Sequence, residues 1–168
     1  MRFILMIVLA SMLLLTACSP AAKDKASVIE QEAGDSQANS EYLPGTWIED
    51  WDLALASAKA QNRPVLVNFT GSDWCIWCKR LSSEVFTQQA FKNYAEDTLV
   101  LLKLDFPQQI PQSDALKQQN ESLMRQFGVR GFPTILLVDQ EGKEIARTGY
   151  QPNGAEAYIE HLKELQSN

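Results

Sequence analysis

An α/β domain is the fold this sequence predicts: a central mixed β-sheet flanked by helices. Three observations carry the prediction. Short, mostly aliphatic runs at residues 65–69, 99–104 and 135–138 have the length and composition of strands buried on both faces. Segments with helical spacing lie between them, as parallel crossover connections require. A turn at 139–142 then folds 143–148 back as the partner of an antiparallel hairpin. With 168 residues the chain is long enough for one domain with a real core.

The elements follow in order. Trp47 and Ile48 are expected to form a short first strand. Asp50 is placed to cap a helix over 51–61, where Trp51, Leu55 and Ala58 fall on one face. Asn62, Arg63 and Pro64 end it, and 65–69 enters the sheet. Residues 70–73 form a turn, and a helix is predicted over 79–86 with Leu81 and Val85 inward. A second helix restarts near Thr87 and buries Phe91. After the strand at 99–104, residues 106–119 hold two prolines and many glutamines. This stretch begins as a loop and becomes helical near Ser113, with Leu116, Leu123 and Phe127 inward and Gly128 in the C′ position. Asn153 or a neighbour is expected to cap a last helix whose inward residues are expected to be mainly Ala157, Ile159 and Leu162. The predicted order is β–α–β–α–β–α–β–β–α.

The N-terminus is a different kind of sequence. Met1 and Arg2 precede an apolar run over 3–15, too short to span a bilayer comfortably but right for the core of a signal peptide. Residues 19–45 are rich in Ala, Ser, Gln, Asn, Asp and Glu. Such a composition cannot bury enough surface to offset ordering entropy, so it reads as a tether. A flexible chain of roughly 25 residues has an r.m.s. reach on the order of 25–30 Å. The formal net charge of −6 offers no basic stripe, so a nucleic-acid partner is not expected.

Chemistry concentrates at Trp74-Cys75-Ile76-Trp77-Cys78. Two thiols three positions apart can form a structural disulfide, supply half a metal site, or exchange with a substrate disulfide. Most structural zinc sites want four ligands, and the single histidine, His161, lies far away on the last helix, where it is expected to be exposed. Haem attachment would need His at 79, which is Lys79. No metal or other cofactor is therefore expected.

Two resemblances add to these readings. Leu15-Thr16-Ala17-Cys18 resembles the lipobox of bacterial lipoproteins. It implies a signal peptide over 1–17, lipid on Cys18, a lipidated linker over 18–45, and a domain over 46–168. By similarity to Gram-negative sorting rules, Ser19 after the cysteine favours the outer membrane, with the domain facing the periplasm. The second resemblance covers roughly 47–166. Trp74-Cys75-Ile76-Trp77-Cys78-Lys79, Lys103-Leu104-Asp105 and Gly128-Val129-Arg130-Gly131-Phe132-Pro133-Thr134 resemble the thioredoxin fold, and residues 68–75 are similar to a bacterial thioredoxin-like subgroup with many exported members.

The thioredoxin resemblance implies a thiol–disulfide oxidoreductase acting on cysteine-containing envelope proteins as a monomer, together with a redox partner. The reductase or isomerase direction is slightly favoured. Cys75, at a helix N-terminus where free N–H groups favour a thiolate, would be the nucleophile, and Cys78, one turn on, the resolving thiol. The Phe132–Pro133 bond would be cis and face the pair, leaving backbone groups free for an extended substrate. Trp74, Trp77, Phe132 and Pro133 would border substrate. Three departures from the family pattern stand out. Asn68 occupies the place of a buried acid, so Lys103 is expected to lack a partner, and Asp73, Glu84 or water would take the Cys78 proton. Ile76-Trp77 matches neither reducing nor oxidising members, and 106–119 is longer than a minimal thioredoxin needs. The competing reading is a binding module for a protein or metal, with its cysteines only locking the loop.

Overall fold

The computed structural model describes residues 42–167. The signal-peptide, tether and Cys18 readings lie almost wholly outside those residues. The described chain forms β1 (Trp47–Ile48), α1 (Trp51–Gln61), β2 (Val65–Thr70), α2 (Ile76–Leu81), α3 (Gln89–Thr98), β3 (Val100–Asp105), α4 (Asp114–Gln126), β4 (Thr134–Val138), β5 (Glu144–Thr148) and α5 (Gly154–Ser167). A π-helical turn, Ser82–Phe86, extends α2.

The sheet runs β1-β3-β2-β4-β5. The strands β1, β3 and β2 are parallel, and β4 and β5 are antiparallel to their neighbours. The central strand β2 is buried along its whole length. Its side chains alternate between two cores, as the two-residue period of a strand requires. Val65, Val67 and Phe69 join a cluster with Leu102, Leu104 and Leu136 under α1 and α4. Leu66 joins the other, with Leu81, Phe91, Leu101, Tyr158 and Leu162 from the opposite layer. Each such aliphatic or aromatic side chain stabilises the fold by ~1.5–3 kcal/mol on burial.

Local chemistry explains the helix limits. The Asp50 carboxylate accepts the Leu53 N–H at 2.8 Å, and the Ser113 hydroxyl accepts that of Leu116 at 3.2 Å. Each satisfies a donor that the first helical turn leaves unpaired. Gly128, at φ 59°, follows α4 in the left-handed conformation that terminates helices. Widening of the chain into the π turn lets Val85 and Phe86, adjacent in sequence, both be buried.

Four expectations change. Ala157 is exposed, and the inward face of α5 is Ala155, Tyr158, Ile159 and Leu162. Its i, i+3, i+4, i+7 spacing rotates Ala157 off the core. His161 is half-buried rather than exposed: its Nε2 pairs with Thr148 Oγ1 at 2.9 Å, and its ring meets Tyr158 edge-on. Tyr42, placed in the tether by composition, is buried, and its hydroxyl accepts the Leu101 N–H at 3.3 Å, so packing begins ahead of Thr46. Lys103 does have partners. Its ammonium lies 2.8 Å from Glu49 and 3.9 Å from Asp105. Among the described residues no helix is long and apolar enough to cross a membrane.

Candidate redox site

The site is built where β2 ends. The chain leaves the sheet at Thr70 and turns through Gly71, and Cys75 N–H closes the turn on Gly71 O at 2.9 Å. Gly71 is required by close approach: a Cβ there would sit 2.5 Å from the Trp74 indole. Cys75 is the N-cap of α2, with extended backbone, and its sulfur accepts the Cys78 N–H at 3.2 Å. Sulfur thus takes the place an Asp or Ser oxygen fills at other helix starts. Cys75 and Cys78 form a disulfide, their Cα atoms 5.3 Å apart. The two residues are 6% and 5% exposed, so exposure alone does not separate them. Their settings do. Cys75 caps α2 at the end of the turn, whereas Cys78 lines a pocket with Asn68, Ser72 and Lys103.

The antiparallel register places Phe69 opposite Thr134. The preceding residues, Phe132 and Pro133, therefore lie beside the cysteine turn, and their peptide bond is cis. Trp74 meets the Phe132 ring edge-on at 5.9 Å, and Phe106 stacks on Phe132 at 5.1 Å. The Trp74 indole N–H donates to Phe106 O at 2.8 Å. Behind Phe106, the Asp73 carboxylate accepts the backbone N–H groups of Gln108, Gln109 and Ile110 at 3.0, 2.6 and 3.2 Å. These donors, Gln108 first, hold its carboxyl below the ordinary range. Asp73 is thereby committed to the 106–112 loop. Asn120, 1% exposed, donates to Asp105 O at 2.9 Å and ties α4 to the root of that loop.

On the other side, Trp77 packs on Tyr150 at 5.2 Å, and the Arg80 guanidinium lies 5.6 and 5.7 Å from the two rings. Glu84 completes the cluster, 2.6 Å from Arg80 and accepting the Tyr150 O–H at 2.6 Å. The Tyr150 hydroxyl and then Arg80 hold the Glu84 carboxyl low, and the same hydrogen bond pushes the Tyr150 phenol up. Glu84, like Asp73, is thus occupied elsewhere. Trp74, Trp77 and Ile76 are 41%, 50% and 73% exposed, an apolar rim around the disulfide.

Phe106, Tyr150, Arg80 and Asn120 carry much of this geometry and were not singled out from sequence. Phe106 and Asn120 carried one signal: an aromatic residue and an amide flanking a stretch too long for a simple connection. Tyr150 and Arg80 had none, since their contacts bridge distant segments. Among the described residues no group of three or more His, Cys, Asp or Glu side chains is arranged to hold a metal.

Fold and site together define a thioredoxin-fold protein with a dithiol–disulfide pair at a helix start. The chain belongs to the thioredoxin-like family, whose domain model matches residues 51–166. It is 35% identical over 153 residues to the disulfide bond reductase DsbH of Chlamydia pneumoniae, covering 90% of this chain and 89% of that one. A solved DsbH oxidoreductase superposes with a TM-score of 0.68 at 36% identity, covering 71% of this chain and 83% of that one. The thiol:disulfide interchange protein DsbD of Yersinia enterocolitica is 33% identical over 116 residues, 67% of this chain but 18% of DsbD. The chain is a thiol–disulfide oxidoreductase, with Cys75 and Cys78 as its CxxC pair.

Proposed function

We propose that this protein is a lipid-anchored reductase of disulfides in cell-envelope proteins, with Cys75 as nucleophile and Cys78 as resolving thiol. The observation that carries the reading is the position of Cys75. It caps α2 next to the cis Phe132–Pro133 bond, inside a rim of exposed Trp74, Ile76 and Trp77. Helix N–H groups favour a thiolate there, and the rim offers apolar contact to an extended, partly unfolded substrate. Trp74, Trp77, Phe132 and Pro133 border the substrate. The reducing direction draws support from the 35% identity to a protein named as a disulfide bond reductase.

The Cys75 thiolate attacks one sulfur of the substrate disulfide. A mixed disulfide forms, and the first substrate thiolate leaves and is protonated. Cys78 then attacks Cys75 Sγ, the Cys75–Cys78 disulfide closes, and the second substrate thiol is released. Two electrons pass to the substrate, so a dithiol donor of the envelope must re-reduce the pair. Lipid on Cys18 holds the domain at the membrane, facing the periplasm, and Ser19 favours the outer membrane.

Replacing Cys78 with Ser is expected to trap envelope proteins on Cys75, identified by mass spectrometry. The reading fails if nothing is trapped and the wild type neither reduces nor oxidises a model protein disulfide. Cys18→Ser is expected to move the protein from the membrane fraction to the soluble one. Retention would sink the anchor.

A further inference from the structure

Beside Cys78 lies a cavity of about 310 Å³ that opens to solvent past the exposed Lys79, Ser82 and Thr87 and whose inner lining includes the polar side chains of Asn68, Thr70, Ser72 and Lys103. The pleat explains its polarity. Asn68 and Lys103 are register partners on β2 and β3, as are Thr70 and Asp105, and they continue the stripe that Leu66 and Leu101 begin towards α5. Where that apolar stripe stops, the space under α2 is left to polar side chains. Two atoms of the lining, Asn68 Oδ1 and Ser72 Oγ, are buried and make no hydrogen bond within the protein. Buried polar atoms are rarely left so, and ordered water is the usual partner where room exists. A single water needs only ~10–15 Å³ of such space, so this cavity has room for several.

The charged groups are few. Lys103 from β3 and Lys79 from α2 line the cavity, and Glu49 and Asp105 face Lys103 at 2.8 and 3.9 Å. None of the described residues lining it is a carboxylate. Asp73 and Glu84, the nearby acids in sequence, are held by the 106–112 loop and by Arg80 with Tyr150. Cys78 must lose a proton before it can attack, and the buried carboxylate beside the cavity, Asp105, does not line it: one oxygen accepts the Ser72 N–H at 3.0 Å and the other faces Lys103.

We propose that this cavity is a water relay for the resolving thiol: water held by Asn68 and Ser72 takes the Cys78 proton, and the Lys103 ammonium stabilises the thiolate left behind. Lys103 is about one-third exposed, so the proton has a way to solvent. The Cys78 thiolate then attacks Cys75 Sγ, the new S–S bond forms, and the electron pair of the broken mixed disulfide leaves on the departing thiolate. Asn68, Ser72 and Lys103 are positioning residues, since none touches the substrate. The proposal rests on Cys78 being the resolving thiol.

The test uses the full chain with Cys18→Ser, so that only two thiols react. The reduced protein is mixed with 5,5′-dithiobis(2-nitrobenzoate) in a stopped-flow instrument. Attack by Cys75 releases one chromophore, and resolution by Cys78 releases a second in a slower phase. Asn68→Leu is expected to slow the second phase roughly tenfold and leave the first unchanged. Lys103→Met is expected to raise the pH midpoint of the second phase by about one unit, and Lys103→Arg to restore it. If Asn68→Leu does not fold, Ser72→Ala with Lys103→Met carries the same comparison. Second phases with unaltered rates and pH profiles overturn the relay, as does equal slowing of both phases. Loss of the first phase in Cys78→Ser would show instead that the roles of the cysteines are misassigned, and the relay would fall with them.

Discussion

Trp74 and Trp77 flank the first cysteine and the middle of the motif, yet different forces hold them. Trp74 is fixed by directional contacts: its N–H on Phe106 O, its ring on Phe132, and bare Gly71 beneath it. Through Asp73 the same turn fastens the loop carrying Phe106, so this flank is a wall assembled from backbone hydrogen bonds. Trp77 rests on Tyr150 and under Arg80, contacts that tolerate sliding, and Glu84 keeps Arg80 and Tyr150 together. One flank therefore resists change of shape, and the other can follow a partner. A thiol–disulfide oxidoreductase would gain from that combination if one side set the register of an incoming chain and the other adapted to its side chains.

The largest break in this comparison is expected from Gly71→Val. The new side chain overlaps the Trp74 indole and must displace it, destabilising the protein by about 1–3 kcal/mol. A denaturant titration should show the loss, and the turnover of a model disulfide should fall with it. A smaller effect is expected from lowering the pH. Asp73 has a folded-state carboxyl held below its ordinary value, so its hold on the loop is complete above the unfolded-chain value of ~3.9 and is lost as pH falls through the depressed one. Amide exchange at Gln108, Gln109 and Ile110 should speed up at acid pH before the core opens. Asp73→Asn should show the same fast exchange at neutral pH. If exchange there is unchanged in that variant, the carboxylate is not the fastening. The smallest effect is expected from Tyr150→Phe, which removes the hydrogen bond to Glu84 but keeps the ring. Since the cluster is half-exposed, KM for a protein substrate should rise within about threefold while kcat holds. A larger change would mean that the Trp77 side is as rigid as the Trp74 side.

Much of this was legible in sequence because it is local. The Cys pair at a helix start, the cap at Asp50, the hairpin turn and the alternation of buried runs each need only a few neighbouring residues. The cis bond before Pro133 and its place beside the cysteines came from a motif resemblance, and the register of β2 against β4 supplies the geometry. What stayed hidden depends on the chain meeting itself far away. Tyr150 and Glu84 are 66 positions apart, and Trp74 and Phe106 are 32 apart. The partner of Lys103 proved to be Glu49, because β1 lies on the far side of β3 and brings its end over that ammonium. Ala157 misled because alanine's small apolar side chain suits either face of a helix.

The Asp73 fastening also bears on how such a protein diversifies. The carboxylate grips only main-chain N–H groups, so residues 108–110 can be any non-proline sequence without loosening the grip. The loop is then a replaceable cassette. New side chains could be installed beside the redox pair while the cysteines, the turn at Gly71 and the cavity under α2 stay as they are. The loop's side chains and the redox pair are thus carried by separate residues, joined at a single carboxylate.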